Sequence, residues 1–217
     1  MKVKRKLQIA ADVLMSCILL LQMSYSIAGE VLHEILGIAL FVLFVLHHIL
    51  SVNFTKALFK GKPTAEKTLK VVIDILLTVD VLALMVSALF ISNHVFTFLG
   101  LHHLAAFGRT LHLLASYWGF ALMSLHIGFH LDFMLHKVMK EKRKKTAAIA
   151  IMIVVSAAGL ACFIHEETYK YMLLINQFVF FDVAGGLPLF LLKYILMAAM
   201  FATIGYAMIR LVKRRTK

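Results

Sequence analysis

The stretch Leu111–His130, LHLLASYWGFALMSLHIGFH, decides how the rest of the chain is read. It is apolar along most of its length, yet it carries His112 and His126 with thirteen residues between them. Fourteen helical steps of about 100° come to roughly 1400°, about 40° short of four turns, so the two imidazoles share one face about 21 Å apart along the axis. A second apolar run, Val31–Leu50, carries His33 and His47 at the same separation. A polar ring inside a bilayer is expensive unless something engages it, and imidazole is a strong axial ligand of haem iron. Two such helices side by side offer two stacked pairs of imidazoles. The expectation is a membrane protein holding two haems, one above the other.

Composition agrees with the membrane part of that reading. The 217 residues are 62% hydrophobic and 16% charged, and the mean hydropathy is +0.90, too apolar for a soluble domain of this length. Segments long enough to span about 30 Å of hydrocarbon fall at Ile9–Ala28, Val31–Val52, Lys70–Ile91, Arg109–Leu131, Thr146–Ile164 and Pro188–Leu211. The predicted fold is therefore all-α: a single domain over 1–217 made of six transmembrane helices, with no room for a soluble domain. The basic-then-apolar start imitates a signal peptide. Asp12 and Gln22 interrupt the run, however, and it reads as a retained first span.

The net charge of +12 would suggest nucleic acid in a soluble protein, but its distribution excludes that reading. Of the 23 Lys and Arg residues, all but Arg109, Lys170 and Lys193 fall before the first span, between the second and third or at the first residue of the third, between the fourth and fifth, or at the end of the sixth and beyond it. The positive-inside rule then places both termini in the cytoplasm of a plasma (inner) membrane protein, with the basic rim against anionic lipid. Cys17 and Cys162 lie within spans near opposite ends of the bundle, so no disulfide is expected. No Cys-x-x-Cys-His occurs, so any haem is non-covalent b-type rather than attached c-type.

Counting spans gives the second and fourth helices the same direction. His33 and His112 then share the outer depth, and His47 and His126 the inner depth. His48 is rotated a further 100° or so from His47 and reads as a neighbour, while His130, one turn beyond His126, is the main rival for the inner ligand. Arg109 opens the fourth span three residues before His112, where it suits either a haem propionate or a lipid phosphate. Gly119 lies seven residues from both His112 and His126, and its missing side chain leaves room for porphyrin edges. Small residues also serve ordinary helix packing. Asp12, Asp74 and Asp80 lie within spans, where they form a proton entry or a polar clamp, or simply bond neighbouring helices. His94, His102 and His103 read as interfacial loop residues, with metal or partner contact as the other possibility. The segment HEETYKYMLLINQFVFFDVAGGLP, with Tyr169, Tyr171, Phe178, Phe180 and Phe181, reads as an interfacial stretch that caps the outer haem or docks a partner.

The arrangement resembles the di-haem core of cytochrome b and ferric-reductase-like membrane proteins. More closely, HEILGIALFVLFVLHH followed by LHLLASYWGFALMSLHIGFH resembles the flavinylation-associated cytochrome family, and the likeness extends to NQFVFFD and the last span. That resemblance implies His33, His47, His112 and His126 as haem ligands. It also implies electron transfer across the membrane toward an extracytoplasmic flavoprotein carrying covalent FMN. Unlike ferric reductases, the sequence has no flavin or nicotinamide domain, and it has no threonine flavin-attachment motif. It would be an electron-transfer subunit, fed by quinol or by a donor on the cytoplasmic side, rather than a stand-alone enzyme. The rival classes are a proton- or metal-handling transporter that uses the intramembrane His and Asp residues, and a haem-free structural anchor subunit.

Overall fold

The computed structural model describes residues 2–215 apart from 59, 61, 139–141 and 180–184. The elements are α1 (Lys2–Gln22), α2 (Tyr25–Ala28), α3 (Glu30–Leu58), α4 (Ala65–Ile91), 3₁₀ turns at Thr97–Leu99 and Leu101–Leu104, α5 (Ala105–Val138), α6 (Lys142–His165), α7 (Thr168–Met172) and α8 (Gly186–Arg215). No strand occurs among the described residues. The protein is all-helical, as its composition requires.

Four of these helices contain segments long and apolar enough to cross a membrane: Glu30–Asn53, Ala65–Ile91, Thr146–His165 and Gly186–Arg214. Their outward residues are those lipid would cover, among them Ile49 (63% exposed), Ile151 (64%) and Val154 (69%). A row of bare aliphatic side chains has no comfortable place in water, so a lipid bilayer is the setting these helices imply. α1 and α5 lie on the remaining two segments drawn as spans from sequence. The basic residues at the start of α1 and the histidines, Arg109 and Ser116 of α5 make these two helices more polar.

The chain forms two compact units. The first comprises Met1–Pro63, Ala83–His112 and Phe180–Leu191. Here α1 packs along α3, with Ala11 and Met15 buried and the Gln8 side-chain amide donating to the Leu50 carbonyl at 2.9 Å. The first helix begins and ends earlier than the drawn span. Ser24, fully buried, donates both its hydroxyl (2.6 Å) and its backbone N–H (3.0 Å) to the Leu21 carbonyl, and that local bonding competes with the i→i−4 ladder and ends α1 at Gln22. Gly29 then turns the chain into α3 at φ 83, a backbone angle that glycine adopts without a Cβ penalty.

Glu34, one turn into α3, ties down the loop that follows α4. Its carboxylate accepts the Ser92 hydroxyl (2.7 Å) and the backbone N–H groups of Asn93 (2.8 Å), His94 (3.2 Å) and Val95 (2.8 Å). Hydrogen bonds to a charged acceptor are worth roughly 1.5–3 kcal/mol each before context is counted. Within the same unit Gly108 of α5 lies against Phe90 and Ile91 of α4, closely enough that a Cβ would displace them.

The second unit comprises Thr64–Leu82, Leu113–Val179 and Leu192–Lys217. Its core joins Ile73 and Leu77 of α4, Leu122 and Phe129 of α5 and Ile209 of α8. α5 and α8 approach backbone to backbone at two places. A Cβ on Gly128 would meet the Ala202 carbonyl, and one on Gly205 the Leu125 carbonyl. Gly159 brings α6 onto the Leu196 carbonyl of α8 in the same way. Lipid is as apolar as leucine, so helices in it associate through such close contacts rather than through hydrophobic exclusion. α7 folds back onto this unit: Thr168, Tyr171 and Met172 are buried, the Trp118 indole donates to the Met172 carbonyl at 2.9 Å, and Lys193 pairs with Glu166 at 2.8 Å. On the exposed side of α7, the hydrogen bond to Glu167 holds the Lys170 ammonium above its ordinary pKa.

Candidate haem-ligand histidines

α3 carries His33, His47 and His48, and α5 carries His112, His126 and His130. Each helix is continuous through its histidines, as the fourteen-residue phase requires. His33 and His112 belong to the first unit, and their ring centroids are 5.9 Å apart with the planes inclined at 67°. With metal–nitrogen bonds of about 2 Å, two imidazoles on one metal ion have ring centres about 6 Å apart.

The surroundings of this pair distinguish its two rings. Ser87, fully buried on α4, donates its hydroxyl to the Leu84 carbonyl at 2.8 Å. Its single proton is thus committed, and its oxygen, 3.0 Å from His112 Nδ1, accepts from that nitrogen. His112 is then the Nδ1–H tautomer, with its lone pair on Nε2. The His33 ring stands edge-on to Tyr25 at 5.1 Å and against the backbone of Gln22. Its Nδ1 is buried without a hydrogen-bond partner, as is Gln22 Oε1. An unsatisfied buried polar atom costs about 1–3 kcal/mol, so this corner of α1 and α3 has polar capacity that its own residues leave unused.

His47, also in the first unit, places Nδ1 2.6 Å from Asp12 Oδ1 of α1. In the second unit His126 places Nδ1 3.0 Å from Asp74 Oδ1 of α4. A carboxylate facing Nδ1 favours that nitrogen as the donor and leaves the lone pair on Nε2, an arrangement also found where histidines bind metals. Sequence reasoning picks out both aspartates by depth alone. Their partners emerge only when neighbouring helices are brought together, and hydrogen bonding between helices is the role the contacts give them.

The remaining candidates fall as follows. His48 is exposed and turns Nδ1 back to the Phe44 carbonyl of its own helix at 2.9 Å. His130 has its ring centroid 4.9 Å from that of His126. Arg109 is exposed at the start of α5, near enough for its charge to act on Tyr25. Gly119 is buried, and the space its missing side chain leaves is taken by the Asp80 carboxylate, whose Oδ2 is buried with no hydrogen-bond partner. The expected room beside Gly119 is thus filled by a neighbouring acid. Cys17 and Cys162 are both free thiols.

His94 is drawn into the clasp around Glu34, with its Nε2 3.5 Å from Glu30 Oε2. Glu30, Glu34 and His94 bring one ligand atom each within 4.8 Å of one another, but the Glu34 oxygens already serve the loop. His102 and His103 are exposed on the second 3₁₀ turn. Of the aromatic segment, Tyr171 stacks on Tyr117 at 5.0 Å and Phe178 is exposed, whereas Phe180, Phe181 and Asp182 lie outside the described residues. Sequence reasoning misses Ser87, a buried hydroxyl that ordinary helix packing also explains, and Glu34, whose position on an apolar helix near His33 is the available signal.

The fold and site thus define an all-helical protein with helices fit to cross a bilayer and a pair of close imidazoles. No protein family model, curated protein or solved structure matches the chain.

Proposed function

We propose that this chain is a membrane electron-transfer subunit in which His33, His47, His112 and His126 are the axial ligands of two b-type haems. The reading takes the chain as a single domain of six spans in the plasma (inner) membrane with both termini cytoplasmic. Its electrons come from quinol or a cytoplasmic-side donor and go to an extracytoplasmic flavoprotein, the partner implied by the resemblance to flavinylation-associated cytochromes.

The observation that carries the proposal is the His33–His112 pair, with ring centres 5.9 Å apart and a buried Nδ1 on His33 that has no partner. The donor set also fits: Ser87, Asp12 and Asp74 engage the Nδ1 atoms of His112, His47 and His126. The residues then have separate tasks. The four histidines would hold the haem iron through their imidazole nitrogens. The Nδ1 acceptors keep the rings in one tautomer, and Arg109 would supply a positive charge for a propionate. Bound haem iron supplies reversible one-electron oxidation and reduction.

A second reading draws on Asp80. A buried carboxylate oxygen without a partner, within a segment fit to cross a membrane, suits a transporter in which the intramembrane acids and histidines carry protons or metal ions. Absorption spectroscopy of the purified protein separates the two. A Soret band with pyridine haemochrome values near two haems per chain supports electron transfer, and protein that stays colourless after expression with excess haem refutes it in favour of a transporter or a haem-free anchor.

A further inference from the structure

The connection between α4 and α5 leaves and returns at one level of the first unit. Ser92 follows directly on the α4 segment fit to cross a membrane, Ala65–Ile91. The chain comes back as Gly108 of α5 against the side chains of Phe90 and Ile91, with the Phe107 ring 6.3 Å from that of Phe90. Glu34, near the start of the α3 segment Glu30–Asn53, holds Ser92–Val95 to that same level. Two segment ends therefore mark the bilayer boundary here, and residues 92–107 run along it.

The chemistry of this connection suits lipid more than water. From Asn93 to Gly108 it contains no Asp, Glu, Lys or Arg, yet Phe98 is 79% exposed, Phe107 60%, Leu99 41% and Leu104 36%. Lipid offers no hydrogen bonds, so a segment that enters it must satisfy its own backbone. Glu34 takes the N–H groups of Asn93, His94 and Val95, and the Ser92 hydroxyl oxygen takes that of Phe96 at 2.9 Å. The carbonyls of Phe96 and Thr97 accept from Leu99 (3.0 Å) and Gly100 (3.1 Å), and that of His102 accepts from Ala105. Only the exposed imidazoles of His102 and His103 reach out as polar groups, and a ring with an apolar body and a polar tip fits the headgroup layer.

We propose that Phe98, Leu99, Leu104 and Phe107 form an anchor that inserts into the edge of the acyl-chain layer, with His102 and His103 at the level of the phospholipid headgroups. The occupant is phospholipid rather than protein. A protein-docking surface surrounds its apolar centre with a polar rim, and this connection has no charged residue to supply one. The helices that flank it bare Val31 and Ile35 of α3 and Val86 of α4 near the same ends, so the apolar surface on either side also belongs to lipid. An anchor here fixes the depth at which α5, beginning at Ala105, enters the bilayer. The inference needs the bilayer setting and not the haems.

The test uses the full-length chain in phosphatidylcholine vesicles. Phe98→Trp and Phe107→Trp are each placed in a Trp118→Phe background, which is the fluorescence blank because Trp118 is the single tryptophan of the chain. If circular dichroism shows that this background does not fold, emission is read instead as the difference from the wild-type chain. The introduced indoles should be quenched strongly by phospholipid brominated near the top of its acyl chains and weakly by aqueous iodide. Strong iodide quenching with no effect of the brominated lipid would overturn the proposal, because the loop would then stand in water, open to a soluble partner. Protection from both quenchers would overturn it as well, since a second copy of the chain would then cover the loop.

Discussion

Gly128 on α5 lies directly against the carbonyl of Ala202 on α8, with no space between them for a methyl group. The reciprocal contact of Gly205 with the Leu125 carbonyl makes this a two-point backbone approach. Gly128→Ala should force the helices apart and destabilise the protein by about 1–3 kcal/mol, the usual cost of overpacking. Gly37→Ala should be milder, because its Cβ would meet only the flexible end of Gln22 at 3.1 Å. Thermal unfolding in detergent measures both, and equal losses would contradict the contact.

The ligand assignment is tested by spectral counting. His33→Ala and His112→Ala should each remove the same one of two low-spin haems. Retention of both haems in either variant would exclude that residue as a ligand.

His126 and His130 have ring centroids only 4.9 Å apart, so substitution must decide between them. His126→Ala should lose the inner haem and keep the outer one, whereas His130→Ala should keep both. The opposite pattern would transfer the ligand role to His130.

Glu34 accepts four hydrogen bonds from Ser92–Val95. Removing the acceptor leaves several donors to find water or go unsatisfied, so Glu34→Ala should lower stability by about 2–4 kcal/mol. Glu34→Gln keeps one acceptor oxygen and should lose roughly half as much. Melting temperatures in one detergent would show the order, and an unchanged Glu34→Ala melt would refute the clasp.

The proposed electron transfer implies a direction that oriented vesicles can read. Reduced inner haem should be reoxidised by an external flavin acceptor only while His33 and His112 are intact. Unchanged transfer after loss of the outer haem would show another exit.

The sequence exposes those features that repeat with the helix or depend on local composition. The apolar runs correspond to α3, α4, α6 and α8, and the fourteen-residue phase of the histidines corresponds to two continuous helices because α-helical geometry is indifferent to what surrounds it. Contacts between helices are less legible. Ser87 is one serine among several until α5 places His112 beside it, 25 positions along the chain. Asp12 and Asp74 stand out because acids are rare in spans, but nothing in their neighbours names His47 or His126. The break at Ser24 escapes notice because Ile27 and Ala28 continue the apolar run, while a side chain returning to Leu21 leaves no trace in hydropathy. Gly119 reads as space between two ligands, and no residue near it in the chain names the occupant. That occupant, Asp80, comes from a different helix.

The Glu34 clasp also bears on how the protein is made. Its hydrogen bonds reach only to Val95, 61 residues onward, and every group they use lies before the start of α5 at Ala105. The α3–α4 hairpin can therefore close while later helices are still on the ribosome, hiding an anionic side chain and three backbone donors from the lipid at the moment of insertion. A chain lacking Glu34 would enter the bilayer with an open hairpin, and its defect would appear first in biogenesis, as early degradation of nascent protein.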